Sequence, residues 1–508
     1  MSAQGVAELI RTVCDGGTFV PWVFEGIEDP GAGQSYVGEL AAARERTGND
    51  ESVLVGEGTI GGHRVALILS DFDFLAGSVG TRACRLVVGA LERARELRLP
   101  VFASPSSGGT RMQEGTPAFV LMVDVAAAVQ RLRDEGSPVV VWLRNPTTGG
   151  VMATWGSLGT ITIGEPGALA GFLGPRVFEM LNGKPFPAGV QRTENLAAHG
   201  VIDQVVARDD LPDYLARALA VCAGHHPGQT PSLRRSSSPE TGAPRGFAGI
   251  DESAVDPWDA ILSTRDPNRP GVRELLATAC DVTELHGTGE GERSEAVVLA
   301  LARFGSRPCV LIGQDRAAQA AGALINPAAL RTARRGIAIA AELGLPIVTV
   351  IDTAGAELSA QAEESALAGE IARSLATLTT TTVPTLSVLL GMGCGGGALA
   401  LLPADRVLAA QRAWLSPLPL EGASVIRHRT PERAPQMARD QQVVATVLAA
   451  RGIVDVIVPE YPDAAQESGA FIERVSTAIA QELGELRCRT SKDRLRDRRV
   501  RYGGPAAM

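Results

Sequence analysis

Glu96-Leu97-Arg98-Leu99-Pro100 returns as Glu342-Leu343-Gly344-Leu345-Pro346, 246 positions later. Outward from this pair, Pro138 opens an apolar run and has its counterpart in Pro384, again at 246. Gly149-Gly150 matches Gly396-Gly397 at an offset of 247, and AAHGVIDQVV (Ala197–Val206) matches AARGIVDVIV (Ala449–Val458) at 252. Matches that keep their order while the offset drifts slowly mark an internal duplication.

Within each repeat a helix-period stretch, Arg82–Leu97 or Ala328–Leu343, ends at a proline and gives way to a compact apolar strand, PVFAS or PIVTVID. A glycine-bearing loop follows, then a second helix (Phe119–Arg133; Leu367–Leu378) and a second apolar strand (Val139–Leu143; Leu386–Leu390). Strands apolar on both faces that alternate with helices predict parallel sheets covered by helices. Between the repeats, GHHPGQTPSLRRSSSPETGAPRGFAG (residues 224–249) replaces apolar periodicity with Pro, Ser, Gly and Arg, which predicts a linker. The expected plan is two α/β domains, residues 1–223 and 250–508.

Composition narrows the function classes. A chain of 508 residues with 45% apolar content can bury sizeable cores. Its net charge of −9, from 48 basic and 57 acidic residues, offers no basic field for a polyphosphate backbone, so no nucleic-acid partner is expected. Seven scattered cysteines contain no CxxC pair, which reads as reduced thiols in a cytoplasmic protein. MSAQGVAELIRT at the N-terminus has charges where an export signal needs its apolar core. Ser374–Ala404 is free of charge, but Pro384, a run of four threonines and a glycine-rich centre divide it into a strand, a loop and a helix start. No membrane span is expected from it.

Each repeat places a glycine pair directly after its second apolar strand, as NPTTGGVMATW and GMGCGGGALAL. Glycine lets the backbone turn steeply against a ligand, and the first NH groups of the following helix have no internal partner. Aimed at an oxygen that turns negative in a transition state, each such donor is worth about 3 kcal/mol. A single pair reads as an ordinary tight turn, whereas pairs at equivalent places in both repeats read as two anion-stabilising sites. GMGCGG also fits GxGxxG, yet no acidic residue stands about 20 positions on and the first repeat lacks the pattern. The histidines are dispersed: His225 and His226 in the linker, His63 and His286 near loops, His199 and His428 with no evident partner. A Ser-His-Asp or metal site is therefore disfavoured. Cys394, inside the second glycine loop, has no adjacent histidine and reads as a small residue fitting a tight turn.

Longer motifs carry a resemblance to a known family. Residues 71–206, with DFDFLAGSVG, SGGTRMQEG, NPTTGGV, GEPGALAGFLGPR and QRTENLAAHGVIDQVV, resemble the β subunit of bacterial acetyl-CoA carboxylase carboxyltransferase. Residues 313–458, with LPIVTVIDTAGAE, AEESALAGEIARSL, GMGCGGGALAL and SPLPLEGASVI, resemble its α subunit. The chain is thus similar to single-chain acyl-CoA carboxyltransferases in which β and α parts are fused. The resemblance implies tandem crotonase-like domains (ClpP/crotonase superfamily) of repeated ββα units, with acyl-CoA on the first and biotin on the second. It implies transfer of a carboxyl group from carboxybiotin, borne by a separate biotin carboxyl carrier protein, to the α carbon of acetyl-CoA or another short acyl-CoA. Malonyl-CoA or a homologue would be the product, and a biotin carboxylase subunit a further partner. In this family the site forms between the first domain of one protomer and the second domain of another, so at least a homodimer is implied.

The same resemblance assigns residues. Gly149 and Gly150 are expected to stabilise the thioester enolate, and Gly396, Gly397 and Ala398 the ureido oxygen, with Gly395, Ala354 and Gly355 on the biotin side. Ser107, Gly108, Gly109 and Arg111 fall in a loop that either contacts or shapes the acyl-CoA pocket, or is a structural turn with a surface arginine. Arg82 and Arg85, at a helix start, have two readings, contact with CoA phosphates or a solvated helix face. Some positions depart from the family. Only Cys14 precedes the core where the β subunit usually has a four-cysteine module, so no zinc is expected. Ala354 replaces a usual proline, and Met392 a usual carboxylate. Two rivals share the motifs: a biotin-linked decarboxylase component acting on a malonyl-CoA-type thioester, and a catalytically idle acyl-CoA-binding scaffold.

Overall fold

The apolar runs become buried central strands: every residue of Val139–Leu143 and of Ile347–Thr353 is buried, as sheets covered on both faces require. The computed structural model describes residues 5–27, 34–198, 201–222, 256–288, 290 and 292–503. The linker expected at 224–249 and His199 lie outside the described residues.

The first repeat builds a sheet in the order Val20–Pro21, Val53–Ile60, His63–Ser70, Val101–Ser104, Val139–Leu143, Ile161–Gly164, Gln204–Val205. The second repeats that order as Asp281–Leu285, Val297–Phe304, Arg307–Gln314, Ile347–Thr353, Thr385–Cys394, Arg406–Ala410, Val456–Val458, and adds Trp414–Ser416 beside the end of Thr385–Cys394. The strands read from periodicity pair in parallel, Val101–Ser104 with Val139–Leu143 and Ile347–Thr353 with Thr385–Cys394, while each sheet as a whole is mixed. Val53–Ile60 pairs antiparallel with His63–Ser70, and Val297–Phe304 with Arg307–Gln314. The links are Gly61-Gly62 and Gly305-Ser306, too short for a crossover helix, and both glycines of the first have positive φ (56° and 80°). Later neighbours pair in parallel through helical crossovers.

The motif that opened the sequence reading marks the C-terminus of a crossover helix. Thr81–Leu97 ends at Arg98 and Pro327–Leu343 at Gly344, both left-handed (φ 54° and 64°). The Leu99 and Leu345 amides then donate back to the Ala94 and Ala340 carbonyls, at 2.8 and 2.9 Å. In place of one helix over Phe119–Arg133, Gly115–Val120 and Met122–Asp134 meet at Leu121, and the stretch Met112–Val120 bends by 43° against Met122–Asp134. The shorter piece is anchored to the second repeat, where Thr116 Oγ1 donates to the Leu415 carbonyl at 3.0 Å. The longer piece lies against Leu367–Thr380, and one apolar cluster runs through both repeats from Trp22 to Tyr502. Among the described residues no single helix is long and apolar enough to cross a membrane. Ser374–Ala404 is divided among Leu367–Thr380, Thr385–Cys394 and the short helix Gly395–Leu399, as its punctuation predicts.

Candidate active site

Backbone conformation sets the register between the two glycine turns. Gly149 and Gly395 have φ of 64° and 63°, and each opens a short helix after an extended residue, Thr148 or Cys394. In the loops beside them, Ser107 Oγ accepts from the Gly109 amide at 3.0 Å and Thr353 Oγ1 from the Gly355 amide at 3.1 Å. All these pairs are 246 residues apart. The counterpart of Gly149-Gly150 is therefore Gly395-Gly396, and the expected match to Gly396-Gly397 is corrected by one residue.

Both turns face one cavity of about 520 Å³. Phe119, Met122, Phe172, Ile371, Leu399 and Ile426 make its walls largely apolar, and Arg427 also lines it. Space at the turns admits only glycine. A Cβ at Gly150 would stand 2.7 Å from Thr110 Oγ1, and one at Gly396 2.7 Å from the Phe172 ring and 2.8 Å from Ile371. The Gly149 amide donates to the Phe172 carbonyl at 2.9 Å, so it is engaged. That leaves the Gly150 amide, within the first turn of the helix and without an intrahelical partner, as the donor of the first turn.

Of the residues assigned from sequence, Gly108, Gly109, Gly149, Gly150, Ala354, Gly355, Gly395 and Gly396 line the cavity. Gly397 and Ala398 do not. The Gly397 carbonyl accepts from Gln314 Nε2 at 2.7 Å, and Ala398 is fully buried one step further into the helix. Ser107 is buried behind the wall and shapes the loop through the Gly109 amide.

Arg111 is neither a pocket contact nor a surface residue: it is 1% exposed and paired with Glu51. It also donates to Tyr36 Oη at 3.1 Å and the Ser78 carbonyl at 2.7 Å. Burial opposes its charge, but Glu51 and Tyr36 more than offset this and raise its pKa. Arg82 and Arg85 lie half-buried on helix Thr81–Leu97, outside the cavity lining, which favours their helix-face reading. Burial pushes the Cys394 thiol up to about 12, so it stays protonated, in keeping with a small residue in a tight turn. Met392 donates its amide to Asp352 Oδ1 at 2.9 Å and packs its side chain against the buried cluster that holds Trp414, outside the cavity lining.

Sequence reading missed Phe172 and Glu363, although GEPGALAGFLGPR and AEESALAGEIARSL contain them. The only local signal is a charged residue near apolar periodicity, and nothing in the chain pairs it with a loop 191 residues away.

The carboxyl transferase domain family matches residues 35–496. A probable biotin-dependent acyl-coenzyme A carboxylase beta3 subunit of Mycobacterium tuberculosis is 52% identical over 503 residues, 99% of this chain and 98% of the relative. The acetyl-coenzyme A carboxylase carboxyl transferase subunits beta/alpha of Salinispora arenicola is 37% identical over 475 residues, 92% of this chain and 84% of that one. Among solved structures, transcarboxylase 12S with methylmalonyl-coenzyme A bound is 20% identical, covering 96% of this chain and 90% of that chain at a TM-score of 0.38. With a family model spanning most of its length and a relative half identical to it from end to end, the chain belongs to the carboxyl transferase family.

Proposed function

We propose that this chain is the carboxyltransferase component of a biotin-dependent acyl-CoA carboxylase, acting on acetyl-CoA or another short acyl-CoA. The observation that carries this reading is that Gly149-Gly150 and Gly395-Gly396, equivalent turns of a duplicated chain, face one apolar cavity. In this reading residues 1–223 form a β-type domain and residues 250–508 an α-type domain fused to it. Its partners are a biotin carboxyl carrier protein and a biotin carboxylase, and it works as a cytoplasmic homo-oligomer.

Carboxybiotin on the carrier supplies the carboxyl group. The site has room for it: about 520 Å³ lies within the usual range of small-molecule cavities. The amide of Gly150 would donate to the thioester oxygen, which becomes negative as the α carbon gives up its proton to the ureido nitrogen that the departing carboxyl group leaves free. The amide of Gly396 would donate to the ureido oxygen from the opposite turn. Each donor is worth about 3 kcal/mol when it strengthens only in the transition state. Apolar walls around them keep out water that would weaken both contacts.

The test is the reverse reaction, with purified protein, malonyl-CoA or methylmalonyl-CoA, and biocytin, following the decarboxylated thioester by chromatography. Biocytin-dependent product is expected, and Gly150→Val or Gly396→Val should lower it by about 10²–10³-fold or more in a folded protein. Product without biocytin would point to a plain decarboxylase. Acyl-CoA binding with no turnover would favour the idle scaffold.

A further inference from the structure

Glu363 belongs to the second repeat, in the short helix Ala360–Glu364, yet its carboxylate holds the first. It accepts from the Phe172 amide at 2.8 and 3.1 Å, from the Leu173 amide at 3.4 Å, and from Gln191 Nε2 at 2.7 Å. Gln191 Nε2 also donates to the Leu173 carbonyl at 2.7 Å, which ties off the segment. Phe172 in turn touches both glycine turns. Its carbonyl accepts from the Gly149 amide at 2.9 Å, and its ring occupies the space that a Cβ on Gly396 would need.

We propose that Glu363 is a positioning residue for carboxyl transfer, setting the place of both glycine turns at once through the backbone and ring of Phe172. The proposal rests on the functional reading above. Domain adhesion alone does not call for a carboxylate, since an apolar side chain seals a buried contact at lower cost in desolvation. What a carboxylate adds is two oxygens able to accept from consecutive backbone amides and a side-chain amide together. Every one of those donors is neutral, so the group is held by hydrogen-bond geometry and not by a counter-charge. A shift of about 1 Å in a reacting geometry is enough to cost on the order of 100-fold in rate.

The experiment compares Glu363→Gln and Glu363→Leu with the wild type in the biocytin-dependent decarboxylation of malonyl-CoA. The leucine variant keeps the contact apolar and removes both acceptors; the glutamine variant keeps the shape and removes one. Expected is a fall in kcat of about 10- to 100-fold, with the KM for the thioester within about 3-fold. The unfolding midpoint should stay above the assay temperature in both variants, and amide hydrogen exchange over residues 170–174 should speed up in both. Unchanged kcat in a folded variant would overturn the proposal, as would a loss confined to KM or one that tracks unfolding. A wild type without biocytin-dependent turnover would overturn the functional reading itself, and that control separates the two failures.

Discussion

At the scale of single residues, burial decides roles that residue type leaves open. Arg111 lies in a motif of the glycine-rich loop, where a guanidinium suggests a thioester or phosphate contact. Its complete burial against Glu51 makes it part of the scaffold behind that loop. Arg111→Leu should therefore cost about 3–5 kcal/mol in denaturant unfolding, because Glu51 is left as an unpaired buried carboxylate. A loss below about 0.5 kcal/mol would restore the surface reading.

Glu363 gives a signed pH effect. Burial lifts it from 4.5 to about 7, with the Gln191, Phe172 and Leu173 hydrogen bonds pulling the other way. A carboxyl whose folded pKa is raised binds its proton more tightly in the folded state. Its contribution to stability is full below the unfolded pKa and is lost as pH rises through about 7. The stability of Glu363→Gln relative to wild type should thus grow between about pH 5 and pH 7, read from paired unfolding curves. Parallel pH profiles would contradict this.

At the scale of elements, local patterns were legible and pairings were less so. The proline-terminated helices and the strand Val139–Leu143 sit where periodicity places them, because apolar spacing and end signals act within a few residues. The antiparallel hairpins were missed. A strand buried on both faces has the same composition whichever way its neighbour runs, and only the two-residue Gly61-Gly62 link carried the signal. The glycine register slipped by one for a related reason: GCGGGAL offers three consecutive glycines, and only the positive φ of Gly395 tells which one matches Gly149. The helix pair Met122–Asp134 and Leu367–Thr380 joins the repeats, and Leu375 is fully buried in their shared core. Leu375→Ala should cost about 2–5 kcal/mol in unfolding free energy. A change below about 1 kcal/mol would mean that the core relaxes around the missing side chain.

At the scale of the whole molecule, one continuous core predicts one unfolding event. The cluster from Trp22 to Tyr502 crosses both sheets, so exposing either half strips apolar cover from the other. Calorimetry should show a single transition; two resolved transitions would mean that the halves are independently stable. The acidic balance acts at this scale too, since a net charge of −9 sets solubility and excludes a polyanion field without touching the fold.

By itself, the sequence determined the duplication, the order of helices and strands, and the presence of a glycine turn in each repeat, because these are written in periodicity and turn chemistry over a few residues. Only the tertiary structure decided that turns 246 residues apart share a cavity, that Arg111 stands behind its wall, and that Glu363 grips Phe172 across 191 positions. Such contacts depend on how the sheets and their covering helices stack, and stacking leaves no periodic trace along the chain.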